Sequence, residues 1–289
     1  MRINTNVASL TAQEANTQTN RNLANSLERL STGLAINKAS DDASGLSIAD
    51  KLRTQASSLT QALANGNSAV TLIQIADKAM AEQSNILDIV KQKLLQASTA
   101  TTSSSGIAAI EKDISKLLSQ LNNIAVQTNY NGLQLLQSDR TVGSSDSSTG
   151  LIFQMGEAST DTMKGGSGVA ANATGLSIQN ISATAITNGD SAKGSQSTAR
   201  SFLSQIDTSI NRLNTWRADF GSTQNQIESA LRNMATQVTN IKAAESVIRD
   251  VDYAAESANF NKQNIISQAG TYAISQANSA SQNVMRLLQ

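Results

Sequence analysis

Two stretches far apart in the sequence carry apolar residues every seven positions, and this repeat restricts the possible folds more than any other feature. The first series is Leu52, Leu59, Gly66, Ile73, Met80, Leu87 and Leu94, interrupted by its glycine; the second is Ile206, Leu213, Phe220, Ile227, Met234 and Ile241. Each has a companion row three or four residues away: Ala56, Leu63 and Val70 switching to Ala76 and Val90 in the first, and Leu203, Ile210, Leu231 and Val238 in the second. A repeat of seven holds one stripe of a helix against a partner helix. Series this long predict helices of about 40 to 55 residues, or roughly 60 to 80 Å, well beyond the usual globular helix. The expected fold is mainly α: elongated antiparallel coiled-coil or helical-bundle rods that form a packing seam, with a small central region containing β-hairpins.

Composition supports a thin seam over a rounded core. Only 3% of the 289 residues are aromatic, with one tryptophan, Trp216, whereas a rounded core leans on Phe, Trp and Tyr for buried area. No proline occurs, which suits long helices, because an interior proline costs about 3 kcal/mol. The absence of cysteine and histidine removes disulfides, thiolate and histidine metal sites, and the Ser-His-Asp and Cys-His arrangements. The carboxylates are scattered over polar helix faces, and Asp41–Asp42 reads as a helix cap, not an acid/base pair. No catalytic residue, cofactor or metal is expected. Basic and acidic side chains balance at 22 each, which argues against nucleic acid or an anionic membrane as partner. The N-terminal Met1–Val7 stretch lacks the apolar run of a secretory signal, and no stretch approaches the ~20 apolar residues of a membrane span. These features alone read as cytosolic, and a leaderless export route would escape them.

From the N-terminus, residues 1 to 32 form a weak amphipathic helix with Ile3, Val7, Leu10, Leu23, Leu27, Leu30 and Leu34 on one face, ended by Gly33. Ser40, Asp41, Asp42 and Ser44 supply caps for the next helix. A turn from Thr99 to Gly106 precedes a shorter helix marked by Ile107, Ile110, Ile114, Leu117, Leu118, Leu121 and Ile124. Asn131-Gly132 signals a turn, and Leu133–Leu136 is expected to be extended. From Thr141 to Thr198 the Ser, Thr, Gly, Asn and Ala content fits short β-hairpins and loops on an outer surface, with strand islands at Leu151–Met155 and Leu176–Ile181, and fits disorder nearly as well. A second long helix is expected from Ala199 to Ile241. After a junction at Ser246–Tyr253, a last helix uses Ile265, Ala269, Ala273, Ala277, Ala280, Val284 and Leu287. Its small alanine face should let it approach the first helix closely. Two terminal helices too weak to stand alone suggest self-assembly.

Several motifs then resemble bacterial flagellin. At the N-terminal end they are Ile3-Asn4-Thr5-Asn6-Val7, Leu27 through Asn37 (LERLSTGLAIN) and Asp41 through Ala49 (DDASGLSIA). At the C-terminal end they are Arg217 through Asn225 (RADFGSTQN), Asp250-Val251-Asp252-Tyr253-Ala254, Gln268-Ala269-Gly270, Gln276-Ala277-Asn278 and Gln282 through Leu288 (QNVMRLL). The resemblance covers residues 1–140 and 199–289. It implies a structural subunit that polymerises into the flagellar filament, a helical propeller for motility, secreted without a signal peptide by a type III apparatus. It implies three regions: 1–40 with 250–289 as a terminal coiled-coil inner tube, 41–141 with 199–249 as a helical rod, and 142–198 as a short variable surface segment. Implied partners are further copies of itself, the cap and hook–filament junction proteins and an export chaperone. The histidine-free segment cannot hold the metalloprotease that some flagellins carry there.

A secreted helical adhesin or translocator of a type III system is the alternative, and assembly motifs at both termini argue against it. An enzyme inserted at 142–198 would have too few ionisable side chains. The sequons at Asn172 and Asn180 read as chance. One departure from the family stands out. Flagellins that trigger the host Toll-like receptor carry Arg, Leu and Glu where a gap-free alignment places Ile89, Lys93 and Asp113, whereas Arg217 and its neighbours match the second contact segment. The resemblance therefore implies a flagellin of the receptor-evading kind, with at most a weak contact to that receptor.

Overall fold

The computed structural model describes residues 5–137, 150–165, 168–179, 181 and 192–288; the side chains of 192–197 and 284–288 lie outside the description. Its elements are α1 (Val7–Thr32), α2 (Ala43–Ala97), α3 (Ser104–Gln127), β1 (Asn129–Tyr130), β2 (Leu133–Gln134), β3 (Leu151–Gln154), β4 (Thr162–Gly165), α4 (Ala192–Arg249) and α5 (Tyr253–Leu288). The fold is mainly α with small antiparallel hairpins, β1–β2 and β3–β4. Contacts cluster into two units, Met1–Ser57 with Val238–Gln289, and Ser58–Gln237.

Local signals set the helix ends. The Asn6 side chain accepts from the Ser9 amide at the start of α1, and Gly33 closes it with φ 76° and its N–H on the Arg29 carbonyl. Asp42 Oδ1 accepts from the Ser44 and Gly45 amides to cap α2. Asp41 instead accepts from the Asn37 and Lys38 amides, and these two hydrogen bonds hold its carboxyl below the usual range. Asp252 accepts from the Ala254 and Ala255 amides to start α5.

In the Ser58–Gln237 unit, α2 and α4 lie antiparallel: Asp77 pairs with Arg217 at 2.9 Å, Lys91 with Asp207, and Arg200 donates to the Ser98 carbonyl. Leu59, Ile73, Met80, Leu87 and Leu94 are buried on α2, as are Ile206, Leu213, Phe220, Ile227 and Met234 on α4. Leu52 and Ile241 belong to the other unit and are half-buried. The companion rows match expectation only at Ala56, Ala76 and Val90, which are buried. On α2 the second buried row is Ala62, Ala69, Ala76, Gln83, Val90 and Ala97, with Leu63 and Val70 only half-buried. On α4 it runs through Phe202, Ser209 and Thr223, which are buried, with Trp216 and Ala230 half-buried; Leu203, Ile210, Leu231 and Val238 are half-buried as well. Small and polar residues occupy these rows because further segments press on them.

Those segments come from the stretch expected on the surface. Val169, Ala171, Asn172, Leu176, Ile178 and Ile181 are buried, so this part of 142–198 does not face solvent. Among the described residues of the expected strand island, neither Leu176–Gln179 nor Ile181 is a strand. The backbone closes turns, with the Leu176 amide on the Asn172 carbonyl and the Ile178 amide on the Ala173 carbonyl. The segment thus satisfies these backbone groups locally and turns its apolar side chains inward. Gln83 donates to the Leu121 and Ala171 carbonyls, Ser209 to the Leu176 carbonyl and Arg212 to the Gly175 carbonyl, so polar groups of α2 and α4 serve as its anchors. Asn172 sits inside this clasp, with its Nδ2 on Gln137 Oε1 and its Oδ1 accepting from the Gly175 amide. It is structural there, not a sequon open to solvent; Asn180 lies outside the described residues.

Candidate assembly surface

In the Met1–Ser57/Val238–Gln289 unit, α1 and α5 pack against each other. Their direction is antiparallel: Asn6 Nδ2 donates to the Ala277 carbonyl at 3.0 Å, Ser267 Oγ to Asn20 Oδ1 at 2.8 Å, and Arg29 lies 3.8 Å from Glu256. Half-buried or buried positions on α1 recur with heptad spacing at Ser9, Ala12, Asn16, Thr19, Leu23, Ser26 and Leu30. Those on α5 are Glu256, Phe260, Gln263, Asn264, Ser267, Gly270, Ile274, Ala277 and Ser281. The seam is largely small and polar, and it supplies little hydrophobic stabilisation.

The larger apolar side chains of these helices are divided. Leu23 and Leu30 enter the seam, while Val7, Leu10 and Leu27 turn away, 64%, 55% and 57% exposed. On α5, Ile265 is 67% exposed and Ala269 is also exposed. Of the alanine row only Ala277 enters the seam, while Ala269, Ala273 and Ala280 are exposed, so the approach to α1 runs through Ser267, Gly270 and Ala277, and Gly270 faces Asn16. Ile3 and the side chains of Val284 and Leu287 lie outside the description. Ile266, Tyr253 and Tyr272 are further exposed apolar residues that sequence reading passes over. For Ile266 the one signal is the Ile265-Ile266 doublet, since adjacent side chains on a helix diverge by about 100°.

Just beyond the end of α1, its connector to α2 meets the junction between α4 and α5. The Ala35 amide donates to the Arg249 carbonyl at 2.7 Å and the Val251 amide to the Gly33 carbonyl at 3.0 Å, around a Leu34–Asp250 bridge. Gly33 is required twice here: by its left-handed φ, and by Tyr253 Oη, 3.0 Å from where a Cβ would stand.

The positions that depart from stimulatory flagellins lie in the Ser58–Gln237 unit. Ile89 is exposed on α2, and Lys93 Nζ reaches Asp113 Oδ2 at 3.1 Å, an ion pair from α2 to α3. Such an exposed pair adds at most about 1 kcal/mol, but it engages both charges. Arg217 is held by Asp77.

This geometry, an apolar face left open on a terminal helix pair, coincides with two matches to known proteins. Residues 3–141 match the bacterial flagellin N-terminal helical region, and residues 203–288 match the bacterial flagellin C-terminal helical region. The chain belongs to the flagellin family. This flagellin is 34% identical to the flagellin of Bacillus subtilis (strain 168) over 304 residues, covering 100% of both proteins. It is 31% identical to the flagellar filament 33 kDa core protein of Treponema phagedenis, again covering 100% of both. A Vibrio parahaemolyticus structure described as a putative flagellar hook-associated protein aligns with a TM-score of 0.60 over 72% of this flagellin and 99% of its own length, at 12% identity, a likeness of fold alone. As a flagellin, the protein is a structural subunit of the bacterial flagellar filament, and it is extracellular there. Among the described residues no helix is long and apolar enough to cross a membrane.

Proposed function

We propose that this flagellin polymerises by covering the outward residues Val7, Leu10, Leu27, Ile265, Ile266 and Tyr272 with the terminal helices of neighbouring copies, and that its work in motility is mechanical, without catalysis. The observation that carries this reading is the imbalance in the α1–α5 pair, where the buried side chains are Ser9, Ser26 and Glu256 while large apolar ones stay in water. Each such side chain gains about 1.5 to 3 kcal/mol on full burial. In this reading 1–40 with 250–289 form an inner tube and 41–141 with 199–249 a surrounding rod. Polymerisation takes place beneath a cap protein and on the hook–filament junction proteins, and an export chaperone guards the C-terminal region beforehand. We further infer a flagellin that activates the Toll-like receptor poorly, because Ile89 offers no charge and Lys93 and Asp113 neutralise each other.

The test is a variant with both Leu10→Glu and Ile265→Glu. Its Ser58–Gln237 unit should melt as in the parent, while sedimentation and electron microscopy show no filaments. Filaments of normal length and yield from this variant would overturn the assembly face.

A further inference from the structure

We propose that Asn131 is a site of spontaneous backbone-directed deamidation, which converts the tip of the β1–β2 hairpin into an isoaspartyl or aspartyl linkage. Asn131 and Gly132 are the two central residues of the turn, with φ 51° and 83°, the values of the mirror-image two-residue hairpin turn. Both are exposed, and a Cβ on Gly132 would meet nothing within 4 Å. Among the described residues no hydrogen bond engages the Asn131 carboxamide or the Gly132 amide. Among the described residues the strands are held by the pairs Asn129–Gln134 and Tyr130–Leu133 and by one further bond at the base, from the Leu135 amide to the Thr128 carbonyl at 3.3 Å, and so short a ladder opens readily. Its base stays fixed by the buried Leu135 and Leu136, so the opening is confined to the tip.

Opening lets the Asn131 Cγ swing over the Gly132 nitrogen, which no side chain shields. That nitrogen gives its proton to hydroxide and attacks Cγ. The new N–Cγ bond closes a succinimide, and the Cγ–Nδ2 bond of the carboxamide breaks, releasing ammonia with a proton from water. Water then opens the ring. Cleavage at Cγ yields aspartate; cleavage at the α-carbonyl routes the backbone through Cβ and Cγ as isoaspartate. No oxidation or reduction occurs. Either product places a carboxylate on the rim of a groove formed with Leu72, Leu133, Ile152 and Phe153, and the isoaspartate also adds a methylene to a turn that has room for two residues.

The protein holds an internal comparison. Asn65-Gly66 has the same dipeptide inside α2, where Gly66 is buried under Leu231 and Met155 and its backbone is helical, so the attack geometry is closed. Asn188-Gly189 lies outside the described residues. The purified full-length protein is held as monomer in mildly alkaline buffer below its melting temperature, with a parallel sample in urea, and both are mapped by peptide mass spectrometry. In the native sample the Asn131 peptide should gain the amide-to-acid mass shift. Much of the product should become a substrate for an isoaspartate methyltransferase with labelled S-adenosylmethionine, and Asn131→Ser should remove the label from the peptide that carries position 131. The Asn65 peptide should convert more slowly by over about tenfold, the factor that ~1.4 kcal/mol of opening free energy imposes. In urea both should convert. A native sample that converts Asn65 as fast as Asn131, or converts neither while the urea sample converts both, would overturn the proposal.

Discussion

Gly66 of α2 makes room for Leu231 of α4: a Cβ on Gly66 would stand 2.6 Å from Leu231 Cδ2 and 2.9 Å from Met155 Cε. The gap in the seven-residue series is thus a notch filled from outside. Both obstructing atoms end flexible side chains, so Gly66→Ala should displace them slightly while gaining up to about 1 kcal/mol of helix propensity, and stability should stay within about 1 kcal/mol of the parent. Gly66→Leu, which completes the apolar series, should destabilise by about 1 to 3 kcal/mol through overpacking. Denaturant titrations of the two variants distinguish a notch from an accidental gap.

Ile227 is fully buried on α4. Ile227→Asp places a charge in that seam with no cation provided for it, at a cost of several kcal/mol. A circular-dichroism melt should show the loss of the cooperative transition, and cells carrying the variant should be non-motile. An unchanged melt would remove Ile227 from the seam.

Gln83 is buried, and its Nε2 donates to Ala171 at 2.6 Å and Leu121 at 3.1 Å, while its Oε1 has no partner. Gln83→Leu keeps the volume but leaves the Ala171 carbonyl without this donor, so about 1 to 3 kcal/mol should be lost. Gln83→Glu should be worse at neutral pH, because it turns a carboxylate on two carbonyls in a buried place. Hydrogen exchange should quicken at 171–178 in both variants before it does in α2.

The mainly helical fold was legible because Leu, Ile, Met and Phe recur every seven residues over long spans. The row beside them was not. Ala62, Ala69 and Gln83 on α2, and Ser209 and Thr223 on α4, carry little hydropathy, so Leu63, Val70, Leu203 and Ile210 looked like the better partners. The same limit applies at the termini. Leu23 and Leu30 continue the register of Ser9 and Ser26, and a register written in serine and asparagine has no apolar signature, so Leu27 read as their neighbour on one face although it turns outward. Leu176 and Ile178 alternate as a strand would. Their backbone is satisfied by turns and by Ser209 and Arg212, which stand more than 30 residues away in sequence, and no local pattern announces that.

Glu111 is a buried carboxyl of α3 whose Oε1 lacks a partner, and burial raises its pKa. The folded protein therefore holds this proton more tightly than the unfolded one does. Its contribution to stability falls as pH rises through the raised value and is recovered on acidification. Glu111→Gln should stabilise by about 1 kcal/mol near neutrality and give no gain at acid pH, where the parent carboxyl is already protonated. Melting temperatures of both proteins across pH would show the two curves converging on the acid side.

The receptor reading predicts that purified monomer stimulates Toll-like-receptor reporter cells far less than a stimulatory flagellin. The triple variant Ile89→Arg, Lys93→Leu, Asp113→Glu should recover activity, since it restores a charged donor, an apolar anchor and a longer carboxylate, and frees the carboxylate from Lys93. Potency of the unmodified protein equal to that of a stimulatory flagellin would refute it.

The bonds from Ala35 to Arg249 and from Val251 to Gly33 flank a single bridge, Leu34–Asp250. Sliding α1 lengthwise along α5 must stretch both at the same moment, so they share a shearing load instead of failing one after the other. A torque that reaches the terminal helices is then passed on by the pair as one lever, and the weak serine-rich seam between them is relieved of carrying it alone.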